Sequence, residues 1–146
     1  MGADDHVIEM EEIDEASCWQ LVARAGFGRI GVNHGDEVVI LPVNVDVIDR
    51  RVVFRTKQGS ILAEAGGGVA VAFECDHSDR MAESGWSVLV QGRLHDVTGT
   101  DEAAGWNELR VRPWAPGSQD RWMVVEPTAV SGRRIERRRV LPAPGS

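Results

Sequence analysis

The densest chemistry in the chain lies in Phe54-Arg55-Thr56-Lys57-Gln58-Gly59-Ser60. An apolar strand ends in Arg-Thr, a turn carries a lysine, and Gly-Ser opens a short helix. A guanidinium, an ammonium, two hydroxyls and unpaired helix N–H groups all favour a phosphate. Arg55, Thr56, Lys57 and Ser60 are therefore candidate ligands of a phosphate group. The plainer reading is a strand-to-helix turn with exposed basic residues.

Two other stretches invite a chemical reading. Glu74, Cys75, Asp76, His77 and Asp79 have the residue types of a metal site. A tetrahedral zinc centre needs about four converging ligands, whereas alternate strand positions face opposite ways. Cys18 and His34 lie alone elsewhere, so no metal site is expected. Gly26-Phe27-Gly28-Arg29-Ile30-Gly31 spells GxGxxG. The dinucleotide fingerprint requires the order strand, glycines, helix. Here the order is helix, glycines, strand, and the glycines read as a helix stop. No GxSxG element occurs, and no Cys/His pair carries a catalytic signature.

The elements that must position these residues are short. Asp14 is a candidate cap for a helix with Cys18, Leu21, Val22 and Ala25 on one face, ended by Gly26. Strands are expected over 27–33, 37–43, 51–56, 69–75 and 86–97, with a hairpin turn at 34–37 and a bulge at Gly92. A short helix is expected over 59–65, with Ser60 as a possible cap, and another over 101–110. Residues 76–85 and 113–120 read as loops. The final strands, 121–125 and 128–134, are interrupted at Pro127. Many short strands with few helices predict a mainly β chain, a closed or partly open barrel.

At 146 residues the chain suits one domain with one core. Residues 1–12 and 136–146 read as flexible ends of a domain spanning 13–135. The net charge of −7 argues against non-specific nucleic-acid binding, which needs a basic face. The acids concentrate in residues 1–15, and five arginines in 133–139. This basic run is a solvated end, or it pairs with the acidic N-terminus of its own or a neighbouring chain. No apolar run approaches the ~20 residues of a membrane span. The N-terminal residues lack the order of a signal peptide, so the expected compartment is the cytoplasm.

Four stretches together resemble the flavin-binding split-barrel family related to pyridoxamine 5′-phosphate oxidase, in its nitroimidazole-resistance-like branch. They are Gly28-Arg29-Ile30, Leu41-Pro42-Val43-Asn44, Phe54–Ser60 and Gly85-Trp86-Ser87-Val88-Leu89-Val90-Gln91-Gly92. Pro113-Trp114-Ala115-Pro116-Gly117 and Ser131-Gly132-Arg133-Arg134-Ile135 extend the likeness. The resemblance implies a six-stranded antiparallel split barrel, a homodimer, and FMN at the subunit interface. It implies that Arg55, Thr56 and Ser60 hold the phosphate, with Lys57 beside them. It places Pro42, Val43 and Asn44 along the flavin ring, and Trp86 and Ser87 near it from the interface strand. The implied activity is oxidation or reduction of a small organic substrate, with the flavin as redox group. A deazaflavin-dependent reductase and a non-enzymatic flavin-binding or cofactor-free barrel are the alternatives. Two positions depart from the family. Ile61 stands where a basic residue often follows the serine, and Val45 where an aromatic often follows the asparagine. The Arg93-Leu94-His95-Asp96 string lies mid-strand rather than near the end, so vitamin-B6 oxidation is not implied.

Overall fold

The computed structural model describes residues 6–106, 109, 111 and 120–140. The chain runs β1 (His6–Ile13), α1 (Glu15–Ala25), β2 (Phe27–His34), β3 (Glu37–Val47), β4 (Val52–Lys57), α2 (Ile61–Glu64), β5 (Gly67–Asp79), β6 (Ser84–Asp96), α3 (Asp101–Ala104) and β7 (Asp120–Arg139). All strand pairings are antiparallel. The sheet order β1-β7-β4-β3-β2-β5-β6 is closed by an additional β6–β7 pairing. Six strands therefore form a ring, and β1 is added outside it along β7. This is the split-barrel architecture. The ring is weakest where β3 meets β4, over Val45–Val47 alone.

Local chemistry accounts for the first elements. The Asp14 side chain accepts from the Ser17 amide at 2.8 Å, and Gly26 ends α1 at φ 64°, where a Cβ would be strained. Cys18, Trp19 and Val22 of α1 are buried, Leu21 packs partly, and Ala25 is exposed. The buried stripe is thus shifted toward Trp19 and away from Ala25. The barrel interior is filled by Ile30, Val43, Phe54, Phe73, Val88, Val90, Leu94 and Met123, among others. A second, smaller cluster lies outside the ring. There Val53, Trp122 and Val124 of β4 and β7 pack with Ala103 and Trp106 at α3.

Several expectations need correction. The segment expected to be flexible over 1–12 is β1 from His6 onward, in register with β7 from His6↔Arg139 to Ile13↔Gly132. The tail expected from residue 136 is likewise strand as far as Arg139. Acidic β1 and basic β7 look unstructured when read separately, but their charges are complementary once paired. Arg138 meets Glu9 at 3.0 Å, and Glu11 and Glu12 lie opposite Arg134 and Arg133. The expected interruption at Pro127 is absent. β7 passes through it because a register shift at Gln91/Gly92 leaves Thr128 as an extra residue in a bulge, where a proline is tolerated. Gly92 is required there, since a Cβ would collide with the Glu126 carbonyl. β5 continues through 76–79 and β6 begins at Ser84, so the expected loop shrinks to a turn over 80–83. The helix expected over 101–110 stops at Ala104. The loop expected over 113–120, with its Pro113–Gly117 likeness, and the ends 1–5 and 141–146 fall outside the described residues, except that Asp120 begins β7. Among the described residues no helix is long and apolar enough to cross a membrane.

Candidate functional site

Strand alternation divides the expected ligands into groups. On β4, Phe54 belongs to the barrel core and Val53 to the outer cluster. Thr56 follows Phe54 and Arg55 follows Val53, so their side chains leave on opposite faces. Thr56 meets Ser60, with their hydroxyl oxygens 2.8 Å apart. Ser60 also caps α2, accepting from the Ala63 amide at 3.1 Å. Lys57 is exposed beside them.

Arg55 is not part of this group. It pairs with Asp120, and its guanidinium lies 5.1 Å from the centre of the Trp122 ring. It also donates to the Val111 carbonyl at 3.4 Å. The structure brings Thr56 and Ser60 together with Lys57 nearby, and turns Arg55 to the opposite face of β4. The physical reason is the two-residue period of the strand together with a carboxylate 65 positions away in sequence.

The ring-facing candidates divide in the same way. Val43 is buried in the core, and Trp86 packs against it, so their side chains face inward. Pro42, Asn44 and Ser87 face outward. The outer surface there is ordered in rows. Pro42 lies opposite Arg29, Arg29 opposite Glu74, Glu74 opposite Leu89, and Leu89 opposite Ser131. A neighbouring row of Ile40, Gly31, Ala72, Gln91 and Ala129 is built largely of small side chains. At about 4.8 Å per strand, Pro42 and Glu74 are about 10 Å apart across this surface.

A depression of about 280 Å³ lies on this face, lined by Glu74, Ser87, Leu89, Ser131, Gly132 and Arg133. Glu74 is its perturbed group. Burial raises the carboxyl most. A hydrogen bond to Asp76 and the charge of Asp76 raise it further, Arg29 opposes them, and the result is pushed up to about 7. Such a carboxyl exchanges its proton near neutrality, which suits acid–base or proton-donor work. Sequence reasoning set Glu74 aside with the metal candidates. The available signal was an acid pair spaced two apart, Glu74 and Asp76, which puts both on one strand face.

The remaining candidates are inert or scattered. Cys75 is buried, and burial pushes its thiol up to about 12, with Glu74 and Asp76 adding to the effect. Burial raises Cys18 as well, with smaller contributions from Asp14 and Glu15. Neither thiol supplies a thiolate nucleophile near neutrality. Among the described residues no three His, Cys, Asp or Glu side chains converge as metal ligands.

Comparison with known proteins follows the same lines. The family described as pyridoxamine 5′-phosphate oxidase matches residues 14–134. An uncharacterized protein of Mycobacterium tuberculosis is 33% identical over 132 residues, covering 87% of this chain and 86% of its own. The structure of the FAD binding protein from Mycobacterium smegmatis is 33% identical, with TM-score 0.73, over 85% of this chain and 98% of that one. A Bacteroides thetaiotaomicron structure, provisionally named for 5-nitroimidazole antibiotic resistance, shares the fold. It has TM-score 0.67 at 10% identity, over 90% of this chain and 93% of that one.

Proposed function

The chain belongs to the pyridoxamine 5′-phosphate oxidase family, and from that premise we propose that it binds a flavin between two copies of itself and serves as an oxidoreductase of a small organic substrate. The observation that carries this reading is the likeness to the Mycobacterium smegmatis FAD binding protein in sequence, fold and length together. The part common to FMN and FAD is the ring, the ribityl chain and the first phosphate. FMN is the expected cofactor, and the name of that relative favours FAD as the second reading.

The residues present suit such a group. Thr56 and Ser60 offer adjacent hydroxyls, and Lys57 a mobile positive charge, for a phosphate. The outer face offers a planar ring a surface of small residues, with Pro42 and Asn44 on one side and Ser87 on the other. When bound, the flavin supplies the electron or hydride transfer. The protein's share is to orient the ring, exclude water and hold a proton at Glu74.

A second copy suits the same face. Val38 and Ile40 at one side are 75% and 67% exposed, and Ile8 and Met10 at the other are 66% and 64% exposed. All four share the outward side of their strands with the depression. Apolar surface of this kind marks an interaction site. Covering it with a second chain would enclose a cofactor that a single chain this small leaves open.

Titration of the purified protein with FMN and with FAD, followed by flavin fluorescence, tests the reading. Saturable binding of either is expected. Binding of neither, or of a deazaflavin alone, would overturn it.

A further inference from the structure

The hydroxyl pair of Thr56 and Ser60 is short of donors and of charge. The two oxygens share one hydrogen bond, which leaves a single hydroxyl proton for a ligand. α2 is Ile-Leu-Ala-Glu and brings only an acid. Arg55 lies on the outer face of β4, engaged by Asp120. Lys57 follows Arg55 by two residues, so it starts from that outer face, opposite Asp120 in register. A phosphate monoester carries about two negative charges near neutrality, which one hydroxyl proton matches poorly.

β7 supplies a guanidinium on the inner face. Phe54 lies opposite Met123, and both fill the barrel. Two residues further along, Thr56 lies opposite Arg121, so these side chains leave their strands on the same side as the core pair. Side chains directly opposite in an antiparallel ladder start roughly 4.5–5.5 Å apart, within the reach of an arginine. Arg121 is also held in place. Its Nε donates to Asp96 at 2.8 Å. Asp96 is fixed in turn: its carboxylate accepts from the Thr98 amide at 3.0 Å, and its own amide donates to the Gly66 carbonyl at 2.9 Å, just past α2. The contacts thus run from Ser60 to Thr56, across the ladder to Arg121, on to Asp96 and back to the end of α2. Asp96 engages the guanidinium at Nε, and the two terminal nitrogens carry its other N–H donors. The Arg121 side chain is 34% exposed, so a ligand can reach it.

We propose that Arg121 is the principal cation of the phosphate site: its terminal N–H groups donate to the phosphate oxygens of the flavin beside the Thr56–Ser60 pair, while Asp96 orients the guanidinium. The inference rests on the flavin reading above and deepens it. It replaces the arginine expected on β4 with one contributed by β7, and it makes the phosphate a feature by which the site selects its ligand.

The test is a pair of fluorescence titrations, one with FMN and one with riboflavin, which lacks only the phosphate. The wild-type chain should bind FMN at least about tenfold more tightly than riboflavin. Arg121→Ala should lose about tenfold in FMN affinity while riboflavin affinity stays within about twofold, so the preference collapses. A purely structural role for the Arg121–Asp96 pair would weaken both ligands alike and leave the preference intact. Arg121→Gln keeps a donor for Asp96 without the charge. It should collapse the preference in the same way, and it carries the test if the alanine variant does not fold. A folded variant that keeps the wild-type preference would overturn the assignment and leave the flavin reading standing. Equal wild-type affinities for FMN and riboflavin would do the same. A wild-type chain that binds neither would overturn both.

Discussion

Two charged regions on the outer wall of this barrel are built in opposite ways. On the β4–β7 side, opposite charges are paired and lie beside tryptophan rings. Arg55 meets Asp120 against Trp122, and Arg51 meets Glu102 with its guanidinium 5.9 Å from the centre of the Trp106 ring. On the β5–β6–β7 side, Glu74 and Asp76 are like charges placed together at an open depression. In the first arrangement each charge is compensated by a partner of opposite sign. The second is strained electrostatically and relieves that strain by holding a proton. Charge density in a sequence therefore does not reveal which cluster is available for chemistry. The sign of the neighbouring charge decides that.

The comparison can be broken most forcefully at Arg55. Arg55→Ala leaves Asp120, which is only 20% exposed, without its cation. It should destabilise the fold by about 2 kcal/mol, read by urea denaturation. Flavin affinity of the folded protein should change less than about twofold, since a 1.4 kcal/mol loss would already be tenfold. A large loss of affinity with unchanged stability would return Arg55 to the binding site. Ser60→Ala removes both the cap of α2 and half of the hydroxyl pair. A stability loss of about 1 kcal/mol is expected, with weaker FMN binding beside it. Intact affinity would remove Thr56–Ser60 from the phosphate site.

The smallest effect is the most diagnostic of the open side. Glu74 has its folded pKa raised above the ordinary 4.5 to about 7. Its contribution to stability is therefore full below about pH 4.5, declines as pH rises, and is lost above about pH 7. Glu74→Gln should flatten that decline in thermal unfolding curves. The paired side has the opposite sign. For Glu102 the hydrogen bond from Arg51 is the largest cause, and it holds the carboxyl below its ordinary 4.5. That contribution is present above about pH 4.5 and is lost as the solution is acidified further. Glu102→Gln should therefore lower stability by a constant amount across the neutral-to-alkaline range, without changing its slope there, and flatten the acid limb.

Much of the fold was legible because its signals are local. Asp14 and Gly26 bracket α1, the 34–37 turn joins β2 to β3, and Gly92 marks the bulge within short windows of sequence. The misread parts depend on distant partners. β1 is a strand only because β7 faces it with arginines more than a hundred residues later. Pro127 sits inside β7 only because the β6–β7 register shifts opposite Gly92. The site divides along the same line. The Thr56–Ser60 contact spans four residues and could be read directly. The destination of Arg55 depended on Asp120, and the importance of Glu74 on a row of residues contributed by separate strands.

Sedimentation equilibrium, monitored at the protein band and at the flavin's visible band, tests the central claim most directly. The account predicts that FMN or FAD sediments with a species of twice the 16.0 kDa chain mass. Flavin absorbance that stays with the free small molecule, or that travels with a single chain, would contradict it.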